Sequence, residues 1–174
     1  METAMKRFYA LTFLAIAAAL SGCATSHPQT ASEFRKAVPG AFMAKVEKYE
    51  VNQPYQEIAA RIQKMAPKCL DVTVETISQT RDSYQHIVTQ YKSTVIVGKE
   101  HAELHVQQHH AQGVMNVTKE PEGGYYLMVF DITKLGASKS HVEYYGPSIG
   151  FDTMVKAIKG WIDGKNVGCP DLTK

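Results

Sequence analysis

Residues 125–133, Tyr-Tyr-Leu-Met-Val-Phe-Asp-Ile-Thr, decide the fold because their apolar side chains alternate. Tyr126, Met128, Phe130 and Ile132 share one face of an extended chain, whereas a helix would scatter them. The pattern predicts a β-strand with one face on a core. Similar alternation predicts strands at 42–51, 70–75, 86–97, 102–109 and 140–145.

Two other stretches carry apolar residues at helical spacing. Pro54 suits the first turn of one helix, which Pro67 is expected to end. In the second helix, Ser148 is the expected N-cap and Gly164 the expected C-terminal stop. The apolar stripes are Tyr55, Ile58, Ala59, Ile62, Met65 and Ala66 in the first helix and Phe151, Met154, Val155, Ile158, Trp161 and Ile162 in the second.

The predicted element order is β-α-β-β-β-β-β-α, an α+β fold. Short connections, such as Gly98-Lys99-Glu100, favour an antiparallel sheet of five to six strands. Two helices with one apolar face each bury it most economically on the same sheet face. A curved antiparallel sheet that grips a carboxy-terminal helix resembles the helix-grip (START/Bet v 1-like) layout and the domains of some outer-membrane assembly lipoproteins. That resemblance rests on element order and implies a cavity between sheet and helix.

The amino-terminal segment is typical of a secreted chain. Lys6 and Arg7 precede an apolar run, 8–20, which is too short to span a bilayer comfortably and suits a signal-peptide core. The run ends in Leu20-Ser21-Gly22-Cys23, which resembles the lipobox of bacterial lipoproteins. The resemblance implies cleavage after a signal peptide at 1–22 and acylation of Cys23, whose lipid chains would anchor the protein permanently.

The residue after the acylated cysteine directs sorting in the lipoproteins that this motif resembles. Ala24, rather than Asp, implies the outer membrane, with the protein facing the periplasm. Residues 23–40 are then the lipidated cysteine and a flexible tether, because they are small, polar and Pro-containing. Residues 41–174 are expected to form one periplasmic domain. With a net charge of +2 and no Lys/Arg run, no nucleic-acid partner is expected.

The remaining cysteines, Cys69 and Cys169, are the one pair left once Cys23 carries lipid. An oxidising compartment favours a disulfide between them. Neither thiol belongs to a Cys-x-x-Cys pair or follows a helix start that would make it reactive. We therefore predict a structural bridge.

Residues 101–110 contain four of the seven histidines. On a strand, alternate side chains share a face, so imidazole and carboxylate groups could bind Zn²⁺ or Cu²⁺ there. Alternatively, the row is the solvated face of a half-buried strand, because ligands in a straight line do not converge on one ion. The candidate ligands are His101, Glu103, His105 and His109, and the core-facing neighbours are Ala102, Leu104 and Val106.

Common catalytic signatures are absent from the sequence, including Gly-x-Ser-x-Gly, His-Glu-x-x-His and phosphate-binding glycine loops. Asp131 is expected at the surface and Trp161 in the core. We therefore expect a membrane-anchored, non-catalytic lipoprotein without a cofactor that binds or scaffolds an envelope partner. One alternative is a helix-grip module for a lipid or another small apolar ligand. A minor alternative is surface metal binding through the His-rich strand.

Overall fold

The structure, a computed structural model, describes residues 27–79, 84–110 and 120–173. These residues form three helices and six strands. The helices are α1 (Ala31–Ala37), α2 (Tyr55–Leu70) and α3 (Asp152–Ile162), and the strands are β1 (Ala44–Val51), β2 (Thr73–Gln79), β3 (Tyr84–Val97), β4 (His101–His110), β5 (Tyr125–Lys134) and β6 (Ser140–Pro147). Among the described helices, none is both long and apolar enough to cross a membrane.

The strands form one antiparallel sheet in the order β1-β6-β5-β4-β3-β2. This confirms an α+β fold with an antiparallel sheet of five to six strands. The turn predicted at 98–100 joins β3 to β4, and the Gly98 amide donates to the His101 carbonyl at 2.8 Å. Strand β5 lies inside the sheet, so the alternating stretch 125–133 has a strand on each side.

One hydrophobic cluster joins α2, α3 and a single face of the sheet. Ile58 of α2, Phe130 of β5, and Met154, Ile158 and Trp161 of α3 are all 0–1% exposed. Fully burying a side chain of this size contributes about 1.5–3 kcal/mol. These side chains fill the space between α3 and the sheet, and Trp161 lies in the core as predicted.

Two helix boundaries differ from the sequence prediction. Pro67 does not end α2, which continues to Leu70. The helix continues because Cys69 and Leu70 are 3% and 0% exposed, and their burial outweighs the hydrogen bond that a proline removes. Ser148 is not the N-cap of α3, since its amide donates to the Met43 carbonyl at 2.8 Å and extends the pairing of β6 with the chain before β1.

Strand β5 does not keep one alternation along its whole length. Val106 pairs with Met128, but the next residue, Gln107, pairs with Tyr126, so the register skips Leu127. Such a bulge moves the side chains beyond it to the other face. The prediction that Tyr126 shares the core face is therefore wrong. The fully buried core residues of β5 include Met128, Phe130 and Ile132.

The two predicted disulfide cysteines come together at the edge of the core. Cys69 lies in the last turn of α2, and Cys169 follows α3. Their sulfurs are at bonding distance and their Cα atoms are 5.0 Å apart, which is compatible with the predicted bond. A bond here would link residues that are 100 positions apart.

Replacing both cysteines, Cys69→Ala with Cys169→Ala, should lower the free energy of unfolding by about 4–5 kcal/mol, because a bridge that closes so long a loop restricts the unfolded chain. Urea unfolding of the full chain in detergent measures the loss. Dithiothreitol should destabilise the wild type by a similar amount and leave the double variant unchanged. Equal midpoints for the wild type and the variant would show that the bond does not form.

Candidate functional site

Helix α1 lies on the face of the sheet opposite to α2 and α3. The sequence did not predict this helix, because it falls within the stretch 23–40 that was expected to be a tether. Its start is capped from both sides: the Thr30 hydroxyl accepts from the Glu33 amide at 3.2 Å, and the Glu33 carboxylate accepts from the Gln29 amide at 2.7 Å. The spacing Thr-x-x-Glu is that of a capping box and is the signal that could have revealed the helix.

Arg35 joins α1 to two carboxylates of the sheet. Its Nε and Nη2 atoms donate to the two oxygens of Asp131 at 2.7 and 2.6 Å, and Nη2 also donates to Glu103. The three side chains are 21–23% exposed. Asp131, which was expected at the surface, is therefore half-buried beneath Arg35. Bidentate pairs of this kind are among the stronger charged contacts in proteins.

The two carboxylates belong to a row that crosses three strands. Glu103 of β4 is paired in register with Asp131 of β5, which is paired with Glu143 of β6. Like charges directly opposite one another on neighbouring strands are destabilising. Arg35 compensates the first two carboxylates, and Lys48 of β1 donates to Glu143 at 2.8 Å. We call Glu103, Asp131 and Glu143 the acidic row.

Hydrogen bonds favour the ionised forms of Glu103 and Glu143. The Lys48 ammonium and the Tyr145 hydroxyl, which both donate to Glu143, lower the pKa of that carboxyl to about 2 against the effect of burial. Burial raises the pKa of Glu103, but hydrogen bonds from Arg35 and His105 outweigh it, so the net pKa lies below its usual range. Burial and the neighbouring Glu143 raise the pKa of Tyr145 to about 12.

The four predicted metal ligands take part in ion pairs within the protein. Within the described segments, no three His, Cys, Asp or Glu side chains are arranged to hold a metal. Glu103, already engaged by α1, lies 3.4 Å from His101 and 2.8 Å from His105, whereas His109 pairs with Glu120 at 2.8 Å. The opposite side of β4 is as predicted: Ala102, Leu104 and Val106 are 0–1% exposed.

This face of β4 is also more buried than a solvated row would be. His105 is 6% exposed, and its ring lies 5.8 Å from that of Tyr126. Gln107 is 4% exposed, and its amide donates to the carbonyls of Glu122 and Gly124 at 2.9 and 2.8 Å. Tyr126, which the bulge turns to this side, lies beside His105, and residues 122–124 lie against Gln107. Sequence alternation does not contain that information.

An apolar groove of about 340 Å³ lies between α1 and the adjoining ends of β5 and β6. Phe34 of α1, Val38 directly after it and Leu127 of β5 are among its lining residues. Phe34 packs with its ring 5.9 Å from that of Tyr126. His27, where the described chain begins, also lines the groove. The groove offers an apolar surface large enough to hold a hydrocarbon group.

The predicted lipidation site and the predicted disulfide lie in different parts of the chain. Cys23, the predicted lipidation site, lies outside the described residues and stays a prediction. Cys69 and Cys169 lie at disulfide distance on the side of the sheet that carries the core, whereas the groove lies on the opposite side. The groove and the acidic row are the features that sequence reasoning missed.

Replacing Arg35 by Met should lower the free energy of unfolding at pH 7 by about 2 kcal/mol, because Glu103 and Asp131 then face each other uncompensated. In the wild type, Arg35 helps to lower the pKa of Glu103 below the ordinary value of 4.5, so Glu103 contributes stability above that pH and loses it as the pH falls through its folded-state pKa. The deficit of Arg35→Met should therefore shrink below pH 4.5, where Glu103 of the variant becomes protonated and no longer repels its neighbour. Urea titrations at pH 7 and pH 3.5 measure it.

Lys134→Met is the matched control, because Lys134 pairs at 3.3 Å with the exposed Glu100. It should cost at most about 1 kcal/mol at either pH. Adding Asp131→Asn to Arg35→Met should restore part of the lost stability. A deficit that is equal for Arg35→Met and Lys134→Met, or that does not change with pH, would contradict the role assigned to Arg35.

No family model matches this chain, and comparison with curated proteins finds no similar sequence. A fold class by itself does not define a function, so the function has to be argued from the side chains and their surroundings. Those are the acidic row with Arg35, the apolar groove, and the exposed edges of the sheet.

Proposed function

We propose that this chain is an acylated lipoprotein, anchored through Cys23 in the outer membrane and facing the periplasm, whose domain binds an envelope partner without catalysing a reaction. The observation that carries the proposal is Leu20-Ser21-Gly22-Cys23 directly behind a short apolar run. The pair Cys69 and Cys169 at disulfide distance supports it, because disulfides persist in oxidising compartments such as the periplasm.

The two edges of the sheet differ in their suitability for a partner. Edge strand β1 carries four charged residues in the sequence Ala-Lys-Val-Glu-Lys-Tyr-Glu-Val, and such charges discourage edge pairing. Edge strand β2, Thr-Val-Glu-Thr-Ile-Ser-Gln, carries one charged residue, Glu75. Its Ile77 is 62% exposed. The edge at β2 is therefore the one that could accept a strand from another protein.

Among the described strands, the β2–β3 hairpin extends past the end of β4. Strand β3 begins at Tyr84, but its pairing with β4 begins only at Thr89, opposite His110. The five residues 84–88 pair with β2 alone among the described strands. They reach about 17 Å past the described end of β4, at the usual rise of a strand. Tyr84 and Ile87 are 64% and 46% exposed, which adds apolar contact area for a partner.

The apolar groove favours a second candidate function, the binding of a lipid or another small apolar ligand. In a helix-grip module the ligand lies between the sheet and the carboxy-terminal helix. Here Phe130, Met154 and Trp161 fill that space, whereas the groove beside α1 is open on the opposite face. A ligand of this chain would therefore bind on the α1 side.

Replacing Cys23 by Ala should abolish incorporation of an alkyne-labelled fatty acid and release the protein from the membrane fraction, because the thiol that carries the lipid is missing. In-gel fluorescence and fractionation of cells measure both effects. The variant that lacks Cys69 and Cys169 should still incorporate the label. Fatty-acid incorporation that persists in Cys23→Ala would refute acylation at this site.

A photo-crosslinking residue in place of Ile87 should give a discrete cross-linked product in cells, whereas the same residue in place of Ile96 should not. The two sites are matched in exposure, 46% and 47%, and both lie on β3. Ile77→Asp should remove the product at position 87 without lowering the free energy of unfolding, because Ile77 is exposed. Identical products from positions 87 and 96, or a product unaffected by Ile77→Asp, would exclude the β2 edge as the partner surface.

A further inference from the structure

Three exposed apolar residues lie at one corner of the sheet, beside the groove. Phe42, Met43 and Ile149 are 88%, 52% and 56% exposed. The hydrogen bond from the Ser148 amide to the Met43 carbonyl places the chain before β1 next to the chain after β6. Phe42 and Met43 also line the groove, so the corner and the groove form one continuous apolar surface. Contiguous apolar patches on a folded domain usually mark an interaction site.

The backbone of this corner adopts a left-handed conformation at Met43. Met43 has φ 56°, the one positive φ at a non-glycine among the described residues. A left-handed conformation costs an ordinary residue about 1–2 kcal/mol. The Ala44 amide donates to the Ala41 carbonyl at 3.3 Å and closes the turn around it. Strain of this kind persists only where the surrounding structure imposes it, and Phe42, directly before Met43, is 88% exposed.

The path of the chain connects this corner to the predicted anchor. His27 lines the groove, with its ring 4.8 Å from that of Tyr125. Cys23 precedes His27 by four residues, which span at most about 14 Å even when fully extended. Acyl chains on Cys23 would therefore hold the groove end of the domain within that distance of the bilayer. An apolar surface kept so close to lipid meets it at a high effective concentration.

We infer that the groove end docks on the bilayer that holds the acylated cysteine, with Phe42, Met43 and Ile149 in the lipid interface. This inference rests on the proposed acylation of Cys23. It commits the apolar surface to the membrane itself, and not to a free ligand or a second copy of the chain. The domain then lies against the membrane in one orientation and does not swing freely on a tether.

The test uses the full acylated chain, reconstituted in vesicles of phosphatidylethanolamine and phosphatidylglycerol. An environment-sensitive fluorophore is attached to Phe42→Cys, to Ile149→Cys or, as the control, to Leu135→Cys. Leu135 is 51% exposed and directly follows β5, at the end of that strand opposite to the groove. Nitroxide-labelled lipids should quench the probes at 42 and 149 several-fold more than the probe at 135. Met43→Ser with Phe42→Ser should reduce the quenching at 149 towards the control level.

Equal quenching at 42 and 135, or none at either site, overturns the docking. A blue shift in the emission of the probe at 42, without quenching by the bilayer lipids, also overturns the docking. In that case a bound apolar ligand, the protein's own acyl chain or a second copy of the chain covers the corner. Mass spectrometry of the same sample separates this result from failure of the proposed function. An acylated, vesicle-bound chain with an unquenched probe refutes docking alone, whereas a chain without lipid refutes both.

Discussion

The ion pairs of Arg35 hold together the side of the protein that carries the groove. Register pairing places Glu103, Asp131 and Glu143 side by side across β4, β5 and β6, where three ionised carboxylates repel one another. Arg35 compensates the first two, and Lys48 compensates the third. Because the compensating cations come from α1 and β1, the repulsion within the sheet is relieved only when both elements are docked. The acidic row therefore attaches the amino-terminal part of the described chain to the centre of the sheet.

The groove depends on that attachment. Phe34 of α1 and Val38, which directly follows the helix, form one wall of the groove. The Phe34 ring lies 5.9 Å from the ring of Tyr126 in the sheet. Helix α1 spans only seven residues, and so short a helix is marginal in water without tertiary contacts. Loss of the ion pairs would free α1, open the groove and lengthen the link between Cys23 and the domain. The orientation of the domain on a membrane and the integrity of the groove are thus controlled by the same few contacts.

Local patterns predicted the parts of the fold that local chemistry determines. The alternation in 125–133 and the stripe from Phe151 to Ile162 gave β5 and α3 because each buries one face against the core. The misses have long-range causes. Pro67 stays helical because Cys69 and Leu70 beyond it are buried, and a bulge set by pairing with β4 turns Tyr126 away from the core. Alternation within β4 does not reveal the burial of His105, because Tyr126, which lies beside it, belongs to another strand. Helix α1 left a local trace, the capping box Thr30–Glu33, hidden in a stretch of small polar residues.

The projecting β2–β3 hairpin has a fixed base, which matters for its proposed role. The Asp71 carboxylate accepts from both the amide and the hydroxyl of Ser93 at 2.6 Å, and the Val72 carbonyl accepts from the Tyr91 amide at 2.8 Å. Two residues earlier, Cys69 lies at disulfide distance from Cys169. A strand edge held rigidly at its base loses little conformational entropy when a partner adds to it, and this raises affinity without new contacts. Antiparallel pairing places the start of β3 at the same end of the sheet as the start of β5, which borders the groove. If that end rests on the bilayer, the hairpin meets its partner close to the membrane surface, which favours a partner that is itself membrane-bound.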